Sequence, residues 1–347
     1  MDFGGGEEIR FERIGKAGVV TLTRPKALNA LTHTMVKALS KALDAWQNDA
    51  DVQAVVLRAE GRAFSAGGDI LQVYHARNDA EPPAGFFADE YVLNASISRF
   101  EKPYVSLIDG IVMGGGFGIS GHGSHRVMTE NAQFAMPEVG IGFFPDVGGS
   151  FILPRLKGSF GIYLALTGNR IRYGDALWCG LATHAVASAD LAALFDEICE
   201  TGLPDRVLRN FAKNPEREAD EAVTHAITRH FSLGTLDEIL KSLKDAAASD
   251  EFAAATLATI LKRSPTSLRV TFEQLRAGAM LEMDECMKME FRILCRMLAG
   301  HEFYEGIRAA IVEKGATPQW KPAKIEDVSD REVHAYFEPL GERELIL

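Results

Sequence analysis

Cysteine is scarce in this chain: four in 347 residues (Cys179, Cys199, Cys286 and Cys295), none in C-x-x-C spacing. A disulfide scaffold and a zinc site are therefore not expected, and a reducing compartment, by default the cytoplasm, is. Basic charge is also short. Lys and Arg total 37 against 48 Asp and Glu, a formal charge of −11, which argues against nucleic acid as the main partner and leaves room only for a local basic site for a phosphorylated ligand. Long apolar runs are missing: Val105–Ile108 and Ile111–Met113 fall far short of the ~20 residues a membrane span needs, so no membrane partner is expected. The opening MDFGGGEEIR has neither the apolar core of a secretory signal nor the Arg-richness of a transit peptide, again pointing to the cytoplasm. What remains, 47% hydrophobic and 24% charged residues, is a globular composition and not that of a disordered or fibrous chain.

Glycine is unevenly placed. Of 32, 25 lie at or before Gly180 and seven follow, so many tight turns are expected in the first part and longer helices in the second. The first part alternates. Val19–Leu22, Val52–Leu57 and Tyr104–Ile108 read as strands; Thr32 caps a helix with a stripe at Met35, Val36, Leu39, Leu43 and Trp46; Phe86–Phe100 is a second helix. Strands separated by helices predict an α/β class. Leu236–Leu243, Phe252–Lys262, Leu268–Gly278 and Met283–Leu298 carry helical periodicity. We therefore expect a core over residues 1–200 and a helical region over 201–347. Five of the ten methionines fall between Met280 and Met297; core packing explains them more simply than an adaptable acyl pocket.

Several segments could carry chemistry. Gly116-x-Gly118-x-x-Gly121 formally fits a dinucleotide fingerprint, but Gly121-His122-Gly123-Ser124-His125 is poor material for the helix a Rossmann crossover requires. Ala63-x-Ser65-x-Gly67 resembles a nucleophile elbow, yet the polar Arg58–Arg62 precedes it where a buried strand end is needed. Both glycine runs still offer bare backbone N–H groups that a ligand can approach. His122-x-x-His125 lacks an acidic third ligand nearby, so no metal is expected. Glu138 and Asp146 are the only carboxylates in an apolar loop, Met136 to Gly149. Desolvation there would raise their pKa toward acid/base use, although Asp146 could instead cap a helix and Glu138 could lie on the surface. Glu90 interrupts the apolar side of Phe86–Phe100, either at a rim or facing a ligand cavity.

Taken jointly, Leu22-Thr23-Arg24-Pro25 with Leu28-Asn29-Ala30-Leu31, then Phe64-Ser65-Ala66-Gly67-Gly68-Asp69, then Lys102-Pro103-Tyr104-Val105 leading to Gly114-Gly115-Gly116 resemble the crotonase (enoyl-CoA hydratase/isomerase) superfamily. The match runs from Val19 to about Ala187, with more around His301–Pro322. The resemblance implies a spiral of stacked ββα units with a helical C-terminal region. It also implies an acyl-CoA substrate, no cofactor beyond that coenzyme A, and an oxyanion hole formed by the amides of Ala66 and Gly115. Hydratases of the superfamily carry a glutamate two residues after the Gly-Gly-Gly run, where this chain has Gly118. That departure, with Phe143-Phe144-Pro145-Asp146-Val147-Gly148-Gly149, Phe303-x-Glu305-Gly306 and Pro318-x-Trp320-Lys321-Pro322, resembles the 3-hydroxyisobutyryl-CoA hydrolase branch. In that branch Glu90, Gly115, Glu138 and Asp146 would contact substrate, with Glu138 and Asp146 catalytic, and the reaction would be thioester hydrolysis in valine breakdown. A hydratase or isomerase, or a non-catalytic acyl-CoA binder, is the alternative, and assembly into a homo-oligomer stays open.

Overall fold

The computed structural model describes residues 1–78 and 84–347. The chain divides into two compact units interleaved in sequence. One comprises 1–69, 89–134 and 171–218, the other 70–88, 135–170 and 219–347.

The first unit holds the sheets. β1 (Ile9–Ile14) and β2 (Ala17–Leu22) form an antiparallel hairpin, and β2 then pairs in parallel with β3 (Ala54–Ala59). A short β4 (Ala63–Ser65) follows β3 in the chain. β5 (Tyr104–Ile108) continues the first sheet in parallel, and β6 (Ile111–Met113) pairs with β4. β7 (His125–Met128), β8 (Gln133–Ala135), β9 (Ile171–Arg172) and β10 (His184–Ala185) complete a six-stranded sheet, β1-β2-β3-β5-β7-β10, and a four-stranded one, β4-β6-β8-β9. A long strand, a short turn and a short strand thus recur as β3–β4, β5–β6 and β7–β8, the stacked α/β spiral expected. β2 is buried at every position, as parallel strands covered on both faces are. Thr32 caps the helix His33–Gln47 as its position predicts, its hydroxyl accepting from the Met35 amide at 3.2 Å. All five stripe residues of that helix are buried. Trp46 is wholly enclosed and lies against Gly18, where a Cβ would come within 2.6 Å of the indole, and it meets the rings of Phe3 and Phe11 edge-on.

The second unit is helical. Glu221–Phe231, Leu236–Ala246, Glu251–Ile260 and Pro265–Gly278 begin after Asp220, Thr235, Asp250 and Ser264, and each of these side chains accepts a hydrogen bond from an amide of the first turn. Thr235 and Glu238 close a reciprocal capping box. Met283, Met287, Met289 and Met297 are buried along Met283–Leu298, which is core packing; Met280 is exposed.

The division expected at residue 200 does not coincide with these units. Glycine content locates turns, but compactness follows packing. Residues 135–170, which carry the acidic loop, group with the C-terminal helices, while 171–218 belong with the sheets.

Trp46→Ala should cost about 3–5 kcal/mol, the range for emptying a large aromatic site. Urea unfolding of the full chain should show a lower midpoint with an unchanged slope.

Candidate active site

In the sheet-bearing unit the glycine-rich segments converge. Leu28 and Asn29 both take left-handed backbone (φ 51° and 53°), which asparagine tolerates better than most residues. The turn aims the Asn29 side chain inward, where its Nδ2 donates to the carbonyls of Glu60 (2.8 Å) and Ala63 (2.9 Å) and its Oδ1 accepts from the Arg24 amide (2.8 Å). The strand-like Leu31 then docks on the loop after β4: its amide donates to the Gly67 carbonyl at 2.8 Å and its carbonyl accepts from the Asp69 amide at 2.9 Å. In this arrangement the Ser65 hydroxyl is buried and donates to the Asn29 carbonyl at 2.8 Å, a tie between two loops and not a free nucleophile.

The same hydrogen bonds correct one expectation. The Ala66 amide donates to the Leu28 carbonyl at 3.0 Å, so it is not available to an oxyanion. The bridge to Leu31 uses the residues on either side of Gly68 and leaves the Gly68 amide outside the ladder. Gly115 opens the short helix Gly115–Gly118, and the first amides of a helix have no partner within it. A Cβ built on Gly115 would lie 3.3 Å from the Gly68 nitrogen and 2.4 Å from Glu90 Oε1. Gly68, Gly115 and Glu90 therefore surround one small space, and glycine at 115 keeps it open. Glu90 is buried on the helix Ala84–Ser98 and lies at this space, not at a solvent rim. The Gly68 amide at this space was not singled out from the sequence; only the hydrogen-bond register of the loop distinguishes it from that of Ala66. Of the remaining motifs, His125 pairs with Ser124 (2.8 Å) and Asp205 (3.1 Å), and His122 joins no cluster of three or more candidate metal ligands among the described residues.

In the helical unit the loop from 137 to 150 is built as a frame for carboxylates. Glu138 starts a 3-10 turn, Glu138–Ile141, closed by Gly142 in left-handed backbone, and the Phe143 amide donates back to the Glu138 carbonyl at 3.0 Å. The helix Glu302–Ile307 packs directly on this turn: a Cβ on Gly306 would strike the Ile141 carbonyl at 2.1 Å, and one on Gly142 the Glu302 carbonyl at 2.2 Å. Phe143 stacks on Phe303 with ring centres 4.4 Å apart. The Ser264 amide donates to the Val139 carbonyl at 3.1 Å, and Gln274 donates to the Pro145 carbonyl at 2.6 Å.

Glu138 is buried, and its Oε2 has no hydrogen-bond partner. Burial, and then the charge of Asp146, push its pKa well above the ordinary carboxylate value, with a backbone hydrogen bond opposing them. Asp146 is buried as well. Its side chain caps no helix: the following helix, Gly149–Ile152, has Gly148 at its N-cap and no side-chain cap. The structure thus brings Glu138 and Asp146 within each other's field and excludes both the surface reading of Glu138 and the capping reading of Asp146. Between Asp146 and Gly149, Val147 (φ 51°) and Gly148 (φ 85°) are left-handed; for a β-branched residue this costs on the order of 1–3 kcal/mol and persists only where neighbours impose it. The neighbour here is Glu290, wholly buried on Met283–Leu298, which accepts from the amides of Gly148 and Ser150 (2.9 Å each) and from the Ser150 hydroxyl. Burial, opposed by these donors, pushes Glu290 up to about 8. Glu290 was not foreseen, yet its signal matches that of Glu90: a lone carboxylate on an apolar helical stripe.

Residues 17–337 match the enoyl-CoA hydratase/isomerase family. The chain is 42% identical over 354 residues to the mitochondrial 3-hydroxyisobutyryl-CoA hydrolase of Danio rerio, covering 99% of this chain and 92% of that protein, and 40% identical over 353 residues to the one from Homo sapiens, covering 98% and 90%. Among solved structures, a carnitinyl-CoA dehydratase from Mycobacterium thermoresistibile superposes with a TM-score of 0.91 at 39% identity, covering 98% of this chain and 99% of that one. An enoyl-CoA hydratase from Rhodobacter sphaeroides superposes with 0.87 at 38%, covering 98% and 100%. The mitochondrial names of the hydrolases overturn the cytoplasmic expectation. Four unpaired thiols require only a reducing environment and do not say which compartment supplies it.

Because folded Glu138 holds its proton to higher pH than the unfolded chain does, it contributes stability that is present below about pH 4.5 and lost as pH rises through the raised value. Glu138→Gln removes that loss. At pH 8 the variant should be more stable than the parent by about 0.5–2 kcal/mol, converging with it near pH 4. Denaturant titrations at both pH values check this.

Proposed function

The chain belongs to the enoyl-CoA hydratase/isomerase family, and on that premise we propose that it hydrolyses 3-hydroxyisobutyryl-CoA to 3-hydroxyisobutyrate and coenzyme A. The observation that carries this over a hydratase is the distribution of carboxylates. Gly118, buried in the helix after the glycine run, stands where hydratases of the family hold a glutamate. The acidic pair that remains, Glu138 and Asp146, lies on one loop whose surroundings keep Glu138 desolvated and basic. The relatives named as hydrolases, aligned over 97–99% of this chain, support the same reading.

In this reading the amides of Gly68 and Gly115 receive the thioester oxygen as it gains negative charge. Glu138 takes a proton from water, whose oxygen forms the new bond to the carbonyl carbon. The tetrahedral intermediate then reforms its C=O bond, the C–S bond breaks, and the Glu138 proton goes to the departing sulfur, so that the products are the free acid and the thiol. A carboxylate with a raised pKa suits both halves of this cycle, as base and then as acid. Asp146 binds the substrate hydroxyl and the reacting centre, and Glu90 bounds the space beside the oxyanion donors. Attack by the Glu138 carboxylate itself, through a mixed anhydride, uses the same groups; a single turnover in ¹⁸O-labelled water separates the routes, because only the anhydride leaves label in the protein.

Free-thiol release from 3-hydroxyisobutyryl-CoA should exceed hydration of crotonyl-CoA; efficient hydration with no thiol release would refute the assignment. Glu138→Gln should lower kcat by about 10²–10⁴ with little change in KM. Asp146→Asn should lower kcat as well and also reduce the preference for a 3-hydroxyacyl over a plain acyl thioester.

A further inference from the structure

Of the buried carboxylates to which the mechanism above gives no role, Glu290 is the most deeply enclosed. Glu290 lies at the middle of Met283–Leu298, on the face formed by Met283, Cys286, Met287 and Leu294, and is wholly enclosed. An apolar helix face gains nothing from a carboxylate unless the polar groups it meets require one. Those groups are three donors from one short stretch of the acidic loop: Gly148 N–H on Oε2, and Ser150 N–H and Oγ–H on Oε1. They lie within and just after the left-handed Val147–Gly148 step that immediately follows Asp146, and the Gly149 amide closes the turn onto the Asp146 carbonyl at 2.8 Å. The backbone direction that sets where Asp146 points is therefore held by a side chain 144 positions away in the chain.

We propose that Glu290 is a positioning residue for Asp146, fixing the loop conformation in which the Asp146 carboxylate engages substrate. The proposal rests on the reading of Asp146 given above. One further feature supports it. Asp146 and Glu290 raise one another's electrostatic cost, since the charge of Asp146 is among the influences that push Glu290 upward, and such a coupling is mutual. The other groups that share this field are Cys286, one turn earlier on the same helix and itself pushed up to about 12 by burial and then by Glu290, and Arg155, which acts on Cys286 in the opposite sense. Glu138 completes the set through Asp146. From Pro265–Gly278 the uncharged Gln274 faces the loop and holds the Pro145 carbonyl. No cation pairs with Glu290 among the hydrogen bonds and ion pairs of the described residues; the donors that stabilise its charge are the Gly148 and Ser150 amides and the Ser150 hydroxyl.

The experiment is steady-state thiol release by Glu290→Gln, Glu290→Asp and Ser150→Ala in the full chain, with kcat and KM measured across pH 5–9 and melting followed in parallel. Glutamine keeps the shape but turns a donor toward one of three donors. We expect kcat to fall roughly 10–100-fold with KM changed less than about twofold, and the limb of the kcat profile near pH 8, where burial holds the Glu290 proton, to be lost. Ser150→Ala, which retains the carboxylate and removes one donor, should give a smaller fall in kcat with the same constancy of KM. It is the deciding variant if Glu290→Gln does not fold. Unchanged kcat and an unchanged profile in the folded variants, with only a lowered melting temperature, would overturn the proposal and leave Glu290 a purely structural tie. If the parent releases no thiol from any 3-hydroxyacyl-CoA, it is the functional reading that fails, a result separate from the behaviour of the variants.

Discussion

Burying carboxylates is the constraint on which the helical unit depends. Glu138, Asp146 and Glu290 are all removed from water, and an isolated buried charge is so costly that a chain either neutralises it or surrounds it with donors. Both responses occur here. Glu290 collects three donors from the loop, whereas Glu138 is left with an unpartnered oxygen and a raised pKa. The asymmetry is one of environment: Glu290 is a satisfied acceptor, and Glu138 is the unsatisfied carboxylate to which the proposed mechanism gives the proton transfer.

The long C-terminal helices follow from that need. Keeping the loop from 137 to 150 dry and in one conformation takes contacts from several directions. These come from Ser264 and Gln274 on one helix, Glu290 on another, and the close glycine approach of Glu302–Ile307. The C-terminal tail is fastened in turn, with Glu302 accepting from Ser264 Oγ (2.5 Å) and the Lys321 amide (2.7 Å), and Glu305 from Arg308 (2.7 and 2.8 Å) and the Gln319 amide (2.6 Å). The Phe303-x-Glu305-Gly306 segment is thus packing machinery for the acidic loop. The strained Val147 lies between the Gln274 tie at Pro145 and the Glu290 ties at Gly148 and Ser150, as strained backbone held by its surroundings does.

The oxyanion donors proposed above follow a different economy. No side chain is needed, only amides left over from the ladder. A loop whose odd residues bond to Leu31 leaves the amide of an even one, Gly68, outside that pairing, and a four-residue helix gives the amide of its first residue, Gly115, no partner within it. Glycine at these points serves access, since any Cβ at 115 would fill the space beside Glu90.

Local periodicity and composition determined much of this protein by themselves. The helix capped by Thr32, the strands around Val19, Val55 and Val105, the C-terminal helices and the oddity of Glu90, Glu138 and Asp146 were all legible, because each depends on neighbours within a turn or two of chain. Three things were not. Which amide in Ser65-Ala66-Gly67-Gly68 is free depends on register against Leu28 and Leu31, a pairing across more than thirty residues. The boundary between the units does not follow glycine content, because segments 135–170 and 219–347 pack together while 171–218 return to the sheets. Glu290 carried the same local signal as Glu90 but acquired its meaning only from Gly148 and Ser150, 142 and 140 positions away. Sequence displays what each residue prefers; only the tertiary structure decides which polar groups meet once water is gone.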